Sequence, residues 1–468
     1  ELRLGMPARE GTRIGAFGHR PMVEGIMSPV PDPARTIVFF PEGAFGPTNN
    51  CVGIGQVLRE RGHRVVFIVE ESFAGTLEAQ NFEERRMRLA PAPEVEEAPG
   101  QFWIDFIAET APVFRTSTRE QLGGFIAPTF QALIDGARYV DDRLVEIIDE
   151  LDPAVIVEDN VVAFPALPAS GRPWVRIDSC NPADIKDRAI PPFSSGYPVA
   201  DQAAWPAFLE EVERTHRPMW AAFDAFCRER GAPGLTWGEM GPDFIHESPF
   251  LNLYLYPAEA DYARERPLAP TWHRLDSSVR ASDASWELPD HLRPGMGGRD
   301  GGLVYLSLGS LGSADVGLMQ RLIDVMAETR HRVIVSMGPL ADRLHLADNM
   351  TGAAFLPQPA ILPQVDLVIT HGGNNTVTEA FHHGKPMVVL PLFWDQVDNA
   401  QRIHELGFGR RLDTYGFEPR ELTGAVDELL ADEALATRLA AMSRRIQAQA
   451  GRVRAADLIE RAGVGVPA

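Results

Sequence analysis

Two parallel, doubly wound α/β domains facing a cleft are what this sequence predicts, and three observations predict them. The chain has 468 residues, more than the roughly 250–300 at which a single core stops growing. Short β-branched apolar runs alternate with helical stretches twice along the chain, with a break between the two series. In both series a loop rich in Gly, Pro, Ser or Asn follows an early strand, at the end where open parallel sheets hold ligands.

Residues 1–35, rich in Gly, Pro and Arg, read as an N-terminal arm. The first series, over 36–257, opens with a strand at Thr36–Phe40. A Gly/Pro/Asn loop follows, then a helix ending at Arg61-Gly62-His63 and a strand at Arg64–Val69. Further strands are expected at Ala154–Val157, Trp174–Ile177 and Leu251–Tyr256. Between about 185 and 250, long helical stretches carry Phe193, Trp205, Phe208, Trp220, Phe223, Trp237 and Phe250. Aromatics so spaced either fill a core or line a hydrophobic ligand pocket. Residues 258–300, rich in Pro, Asp, Arg and Gly, read as a linker. The second series, over 301–432, has strands at Leu303–Leu308, Arg332–Ser336, Asp366–Thr370 and Pro386–Leu390. Residues 433–468 are expected as closing helices that pack back toward the N-terminal domain.

A formal net charge of -21 argues against nucleic acid or an anionic membrane as partner. The three cysteines, Cys51, Cys180 and Cys227, are too few and too far apart for a disulfide framework or a zinc site, and a reducing cytoplasm is the expected setting. No apolar run reaches the roughly 18–20 residues of a membrane span, and the first residues lack the apolar core of a signal peptide.

The most informative stretch runs from Phe355 to Asn399. The strand Asp366–Thr370 feeds His371-Gly372-Gly373-Asn374-Asn375-Thr376 and then a helix. Free backbone N–H groups and the helix dipole at such a turn suit a diphosphate, and glycine lets the backbone approach it closely. His371 is placed to donate to a phosphate oxygen. Glu379 lies eight residues after His371, where a carboxylate can take both hydroxyls of a ribose. Asp395 and Gln396, past the strand Pro386–Leu390, offer an acceptor and an amide for sugar hydroxyls; Asp395 also suits a helix N-cap. Phe355 is placed to stack on a base, three residues before Gln358.

This stretch resembles the donor signature of the inverting UDP-glycosyltransferases, bacterial macrolide glycosyltransferases among them. His371, Asn375, Thr376, Glu379, Asp395 and Gln396 stand at the family's intervals. Gln358 matches, Phe355 replaces the family's Trp, and the Ser307-Leu308-Gly309-Ser310 turn and the closing Arg454-Ala455-Ala456-Asp457-Leu458-Ile459-Glu460 match as well. The resemblance implies a GT-B fold of two Rossmann-like domains, acceptor-binding at 36–257 and nucleotide-sugar-binding at 301–432. It implies that Ser310, His371 and Thr376 contact phosphates, with Gly373 in the turn, that Glu379 takes the ribose, and that Asp395 and Gln396 take a hexose, which favours glucose. The implied activity is inverting, metal-independent transfer of a hexose from a UDP-sugar to a small hydrophobic acceptor such as a secondary metabolite. No cofactor beyond the donor substrate is implied.

The acceptor side departs from the pattern. The family's catalytic His falls on Phe45, in Pro41-Glu42-Gly43-Ala44-Phe45, and no His lies between His19 and His63. Asp159 matches the family's orienting Asp. Three readings stand. Asp159 or Glu42 is the base; or the acceptor needs little deprotonation; or the chain is a catalytically impaired sugar-nucleotide-binding accessory protein; Phe45 lining the acceptor pocket suits the first two. A retaining enzyme would carry a second glutamate eight residues after Glu379, where this chain has Met387.

Overall fold

The computed structural model describes residues 34–91, 105, 109, 111–281, 285–294 and 299–464, and the arm assigned to 1–35 lies almost wholly outside them. Arg35–Ala468 form one compact unit. Among the described residues two large parallel sheets run through it.

The N-terminal sheet is built from β1 (Thr36–Pro41), β2 (Arg64–Glu70), β3 (Glu83–Met87), β4 (Val155–Asp159), β5 (Trp174–Asp178), β6 (Leu251–Leu255) and β7 (Trp272–Leu275). Its order is β3-β2-β1-β4-β5-β6-β7, every neighbour parallel. The C-terminal sheet has β8 (Leu303–Ser307), β9 (Arg332–Ser336), β10 (Met350–Ala353), β11 (Leu367–Thr370), β12 (Met387–Val389) and β13 (Gly409–Arg411), in the order β10-β9-β8-β11-β12-β13. Strands covered on both faces need apolar residues at successive positions rather than alternate ones. Ile37–Phe40 and Leu367–Ile369 meet that need and are buried throughout. In each sheet the order reverses beside the first strand, so the loops after β1 and β4, and those after β8 and β11, open into the two crevices where such sheets bind ligands.

Helix α1 (Phe45–Glu60) returns from β1, and α2 (Ala127–Leu151) covers the opposite face. Helix α3 (Trp205–Glu229) carries Pro206 in its first turn and Pro218 inside. In the C-terminal half, α4 (Val316–Ala327), α5 (Asn374–His382), α6 (Gln396–Glu405) and α7 (Pro419–Ala431) flank the second sheet. Helices α8 (Glu433–Gln449) and α9 (Gly451–Ala462) close the chain. Ala455, Ala456, Leu458, Ile459 and Ala462 of α9 are buried in the core beneath the N-terminal sheet. Arg61, at the end of α1, fastens α9 through Asp457 and Glu460, both at 2.7 Å, and His63 adds Glu460 at 2.9 Å.

Two segments differ from expectation. Residues 185–250 hold one long helix, α3, where several were expected; from 179 to 204 the chain is mostly irregular, held by carboxylates distant in sequence. Within 258–300, read as linker, Trp272–Leu275 forms the outermost strand of the N-terminal sheet. The bounding Pro, Asp and Arg residues hide a four-residue strand that has little periodicity to display.

Candidate active site

The turn after β11 is built around one imidazole. A Cβ on Gly309 would lie 2.8 Å from His371 Cε1, and one on Gly373 would lie 2.6 Å from His371 Nε2. Both positions must stay bare for the ring to sit between the two turns. Gly372 has φ +91°, and a Cβ there would meet Val389 at 2.8 Å and the Gln396 carbonyl at 3.1 Å. Gly372→Ala is therefore expected to destabilise the protein by about 2 kcal/mol, read as a lower urea midpoint. Burial pushes His371 down to about 4, against the opposing hydrogen bond to the Ser307 backbone, so the ring is neutral near pH 7. The backbone of Ser310 lies in the short helical turn Gly309–Gly312 beside it, and its side chain lies outside the described residues.

Glu379, on α5, is buried rather than solvated. Its Oε2 accepts from Gln358 Nε2 at 2.6 Å, its Oε1 accepts from Asn375 Nδ2 at 3.3 Å, and Arg280 stands 3.6 Å from Oε1. Gln358 also reaches Thr376 Oγ1 at 3.4 Å. Burial raises the carboxyl, and Arg280 is the largest opposing influence. Phe355, 67% exposed, presents an open ring at the rim.

Asp395 and Gln396 begin α6 and are buried. Gln396 Oε1 accepts from the Leu392 and Phe393 backbone N–H groups at 3.1 and 3.4 Å, which folds its own loop and leaves the amide nitrogen to donate. Asp395 stands at the N-cap of α6 but makes no capping bond. Its Oδ2 accepts instead from the Asn181 backbone N–H at 3.0 Å and from Asn399 Nδ2 at 3.3 Å. Burial, then Asp398, pushes it up to about 8.

The N-terminal loops meet this turn. The Glu42 backbone N–H donates to the Asp159 carbonyl at 2.9 Å, which sets the ends of β1 and β4 side by side. Ser179 donates to Asp159 Oδ1 at 2.7 Å, and its carbonyl accepts from Asn374 Nδ2 at 2.9 Å, so Asp159 is linked to the first residue of α5. Glu42 is half-buried, and desolvation pushes it up to about 7. Asp159 is buried and raised well above the ordinary carboxylate range, by desolvation first, with Asp178 and Glu42 adding to the shift. Phe45 is half exposed, its ring 5.2 Å from Phe73, and Gly46 next to it faces Asn375.

Residues 320–454 match the family described as erythromycin biosynthesis protein CIII-like, C-terminal domain. The chain is 24% identical over 439 residues to the demethyllactenocin mycarosyltransferase of Streptomyces fradiae, covering 91% of this chain and 86% of that one. It is 25% identical over 420 residues to the NDP-glycosyltransferase YjiC of Bacillus subtilis (strain 168), covering 89% and 94%. The solved structure of the kitacinnamycin glycotransferase superposes with a TM-score of 0.66 at 23% identity, over 92% of this chain and 99% of that one. The fold is that of the GT-B glycosyltransferases, and in sequence the chain is similar to macrolide glycosyltransferases.

The C-terminal loop between β12 and α6 is wedged into the N-terminal half. Phe393 stacks on Phe114 at 4.8 Å and touches Phe125 at 4.9 Å, while Trp394, held at φ +58°, lies 4.9 Å from Phe130. Beside this clasp is a cavity lined by Ile126, Phe130, Phe193, Val212, His216 and Phe244. Thr215 Oγ1 bonds the Glu211 carbonyl and His216 Nδ1, both at 2.7 Å, and burial pushes His216 down to about 4. Sequence reasoning missed Asn181, Asn374, Asn399 and Arg280. The three asparagines tie the halves together, Asn181 Nδ2 to Asn399 Oδ1 at 2.8 Å and Asn374 Nδ2 to the Leu255 carbonyl at 3.0 Å. Asn374 lies within the quoted turn and was within reach; no local pattern marks the others. Among the described residues no helix is long and apolar enough to cross a membrane.

Proposed function

We propose that this glycosyltransferase moves a hexose, glucose first among candidates, from UDP to a planar hydrophobic acceptor, with inversion, without a metal and without a cofactor beyond the donor. The observation that carries this reading is the meeting, at the two strand-order reversals, of the His371–Thr376 turn and Glu379 with the Glu42–Asp159 pair. The turn opens α5, whose free N–H groups and dipole stabilise diphosphate charge as the leaving group departs. Glu379 takes the ribose hydroxyls in place of Gln358, and Phe355 stacks on the base. Asp395 Oδ1 and Gln396 Nε2, the atoms their own loop does not use, meet the sugar.

Glu42 is the general base. It is open enough to meet an acceptor hydroxyl, and a value of about 7 lets it take a proton near neutrality. Asp159, more deeply buried and raised well above the ordinary carboxylate range by desolvation, holds Ser179 through its side chain and the end of β1 through its backbone carbonyl rather than exchanging protons. The cavity beside Trp394, with Phe130, Phe193 and Phe244 in its wall, suits a flat apolar acceptor, and His216, Ser194, Asp184, Lys186 and Asp243 supply its polar groups. Only Phe45 favours the accessory-protein reading, and Glu42 supplies the proton acceptor that Phe45 lacks.

The test is incubation with UDP-glucose and a panel of planar phenols in EDTA, with the product's anomeric configuration read by NMR. A β-glucoside is expected. An α-glucoside, or transfer only after a divalent metal is added, overturns the reading.

A further inference from the structure

Residues 276–281 leave β7 and run as a strap between helices of both halves. Asp276, Ser277 and Ser278 are buried. Ser277 Oγ bonds His382 Nδ1 at the end of α5, at 2.9 Å. Ser278 Oγ donates to the Asn50 carbonyl of α1 at 2.9 Å. Ala281 exchanges two hydrogen bonds with the Gln56 side chain of α1, its N–H donating at 3.0 Å and its carbonyl accepting at 3.1 Å. The strap lies against bare backbone: a Cβ on Gly53 would come 2.9 Å from the Ser278 carbonyl oxygen, and one on Gly451 would come 2.3 Å from that of Ser277. The strap is thus pinned to α1, which leads out of the Glu42 loop, and to α5, which carries Glu379. Between Ser278 and Ala281 it delivers one cation, Arg280, to the Glu379 carboxylate at 3.6 Å.

We infer that Arg280 is a positioning residue for the donor ribose: it orients the Glu379 carboxylate for the two ribose hydroxyls and ties nucleotide affinity to the seating of the strap between α1 and α5. The inference rests on the reading of Glu379 as the ribose ligand. A carboxyl accepts from two hydroxyls at once, one on each oxygen, best as an anion, and burial works against the anion. Gln358 and Asn375 face it as neutral amides. Among the described residues, the charged and titratable groups that face it are Arg280 from the strap and Tyr305 from β8. Tyr305, pushed up to about 12 by burial, stays neutral, so the favourable charge comes from Arg280.

The sign follows. Removing the guanidinium takes away the largest influence opposing burial, which favours the protonated carboxyl and lowers ribose affinity. Raising the pH restores the anion and with it the affinity.

The experiment is calorimetric titration of the full chain with UDP and with 2′,3′-dideoxyuridine diphosphate from about pH 6 to about pH 9, on the wild type, Arg280→Met and Arg280→Lys. For Arg280→Met, UDP affinity is expected to fall about tenfold near pH 7 and to approach the wild-type value toward the alkaline end. Affinity for the dideoxy nucleotide should barely change, and Arg280→Lys should recover most of the loss. Unchanged UDP affinity in Arg280→Met, or an equal loss for both nucleotides at every pH, would overturn the inference; the second outcome would mean that Arg280 acts as general charge for the diphosphate. Equal affinity of the wild type for the two nucleotides would remove the ribose reading of Glu379 itself, and is seen without any variant.

Discussion

Glu42→Gln is expected to lower sugar transfer by two to four orders of magnitude, about what a positioned general base contributes, with UDP-sugar affinity unchanged. The amide keeps the size and polarity of the side chain and loses only the proton acceptor, so the fold and the donor turn have no reason to move. The pH profile carries a further check. Glu42 titrates near 7 and is active as the anion, so wild-type turnover should rise with pH through about 7 and then level off. The variant's residual rate should lack that limb. If Glu42→Gln keeps normal turnover with a phenol while Asp159→Asn loses it, the two carboxyls have been assigned the wrong way round. If both keep it, the acceptor needs little deprotonation.

The second large effect is expected at Glu379. Replacement by alanine should weaken UDP binding by about 1.5–3 kcal/mol, the usual worth of hydrogen bonds to a charged group. The loss should be about half as large for 2′-deoxy-UDP, which keeps the 3′-hydroxyl and has one hydroxyl fewer to lose. Titration of both nucleotides against both proteins checks this. Because Gln358, Asn375 and Arg280 all lean on this carboxylate, Glu379→Gln is the companion variant. It keeps the shape and should show most of the same loss for UDP. Equal losses for UDP and its deoxy analogue would place Glu379 away from the ribose.

How much of this was legible in the sequence depends on where each residue finds its partners. The His371–Thr376 turn was legible as a turn because strand, glycines and helix start are contiguous. The place of Glu379 on the helix after that turn was legible from its interval from His371, though its burial and its bond to Gln358 were not. Asp395 shows the limit. Locally it is a plausible N-cap, yet its oxygen goes to the backbone of Asn181, 214 residues away in the chain. The irregular stretch after β5 was misjudged for the same reason. Its turns at Ser194 and Gly196 are held by Asp398, about 200 residues distant, so the segment alone displays scattered aromatics that pass for helix. Trp394 and Phe393 read as ordinary apolar residues before a helix. Only the assembled fold shows them entering the aromatic cluster formed by Phe114, Phe125 and Phe130. Arg280 sits among Pro, Asp and Arg residues that read as linker, and its significance lies wholly in the helices on either side of it.

The claim on which the rest depends is that the His371–Thr376 turn, with Glu379, is a working nucleotide-sugar site. Calorimetric titration with UDP, UDP-glucose and dTDP-glucose in EDTA tests it most directly. The account predicts micromolar binding of UDP and UDP-glucose, with dTDP-glucose weaker because thymidine lacks the 2′-hydroxyl that Glu379 would take. No binding of any of the three, or binding that appears only when a divalent metal is restored, would contradict it.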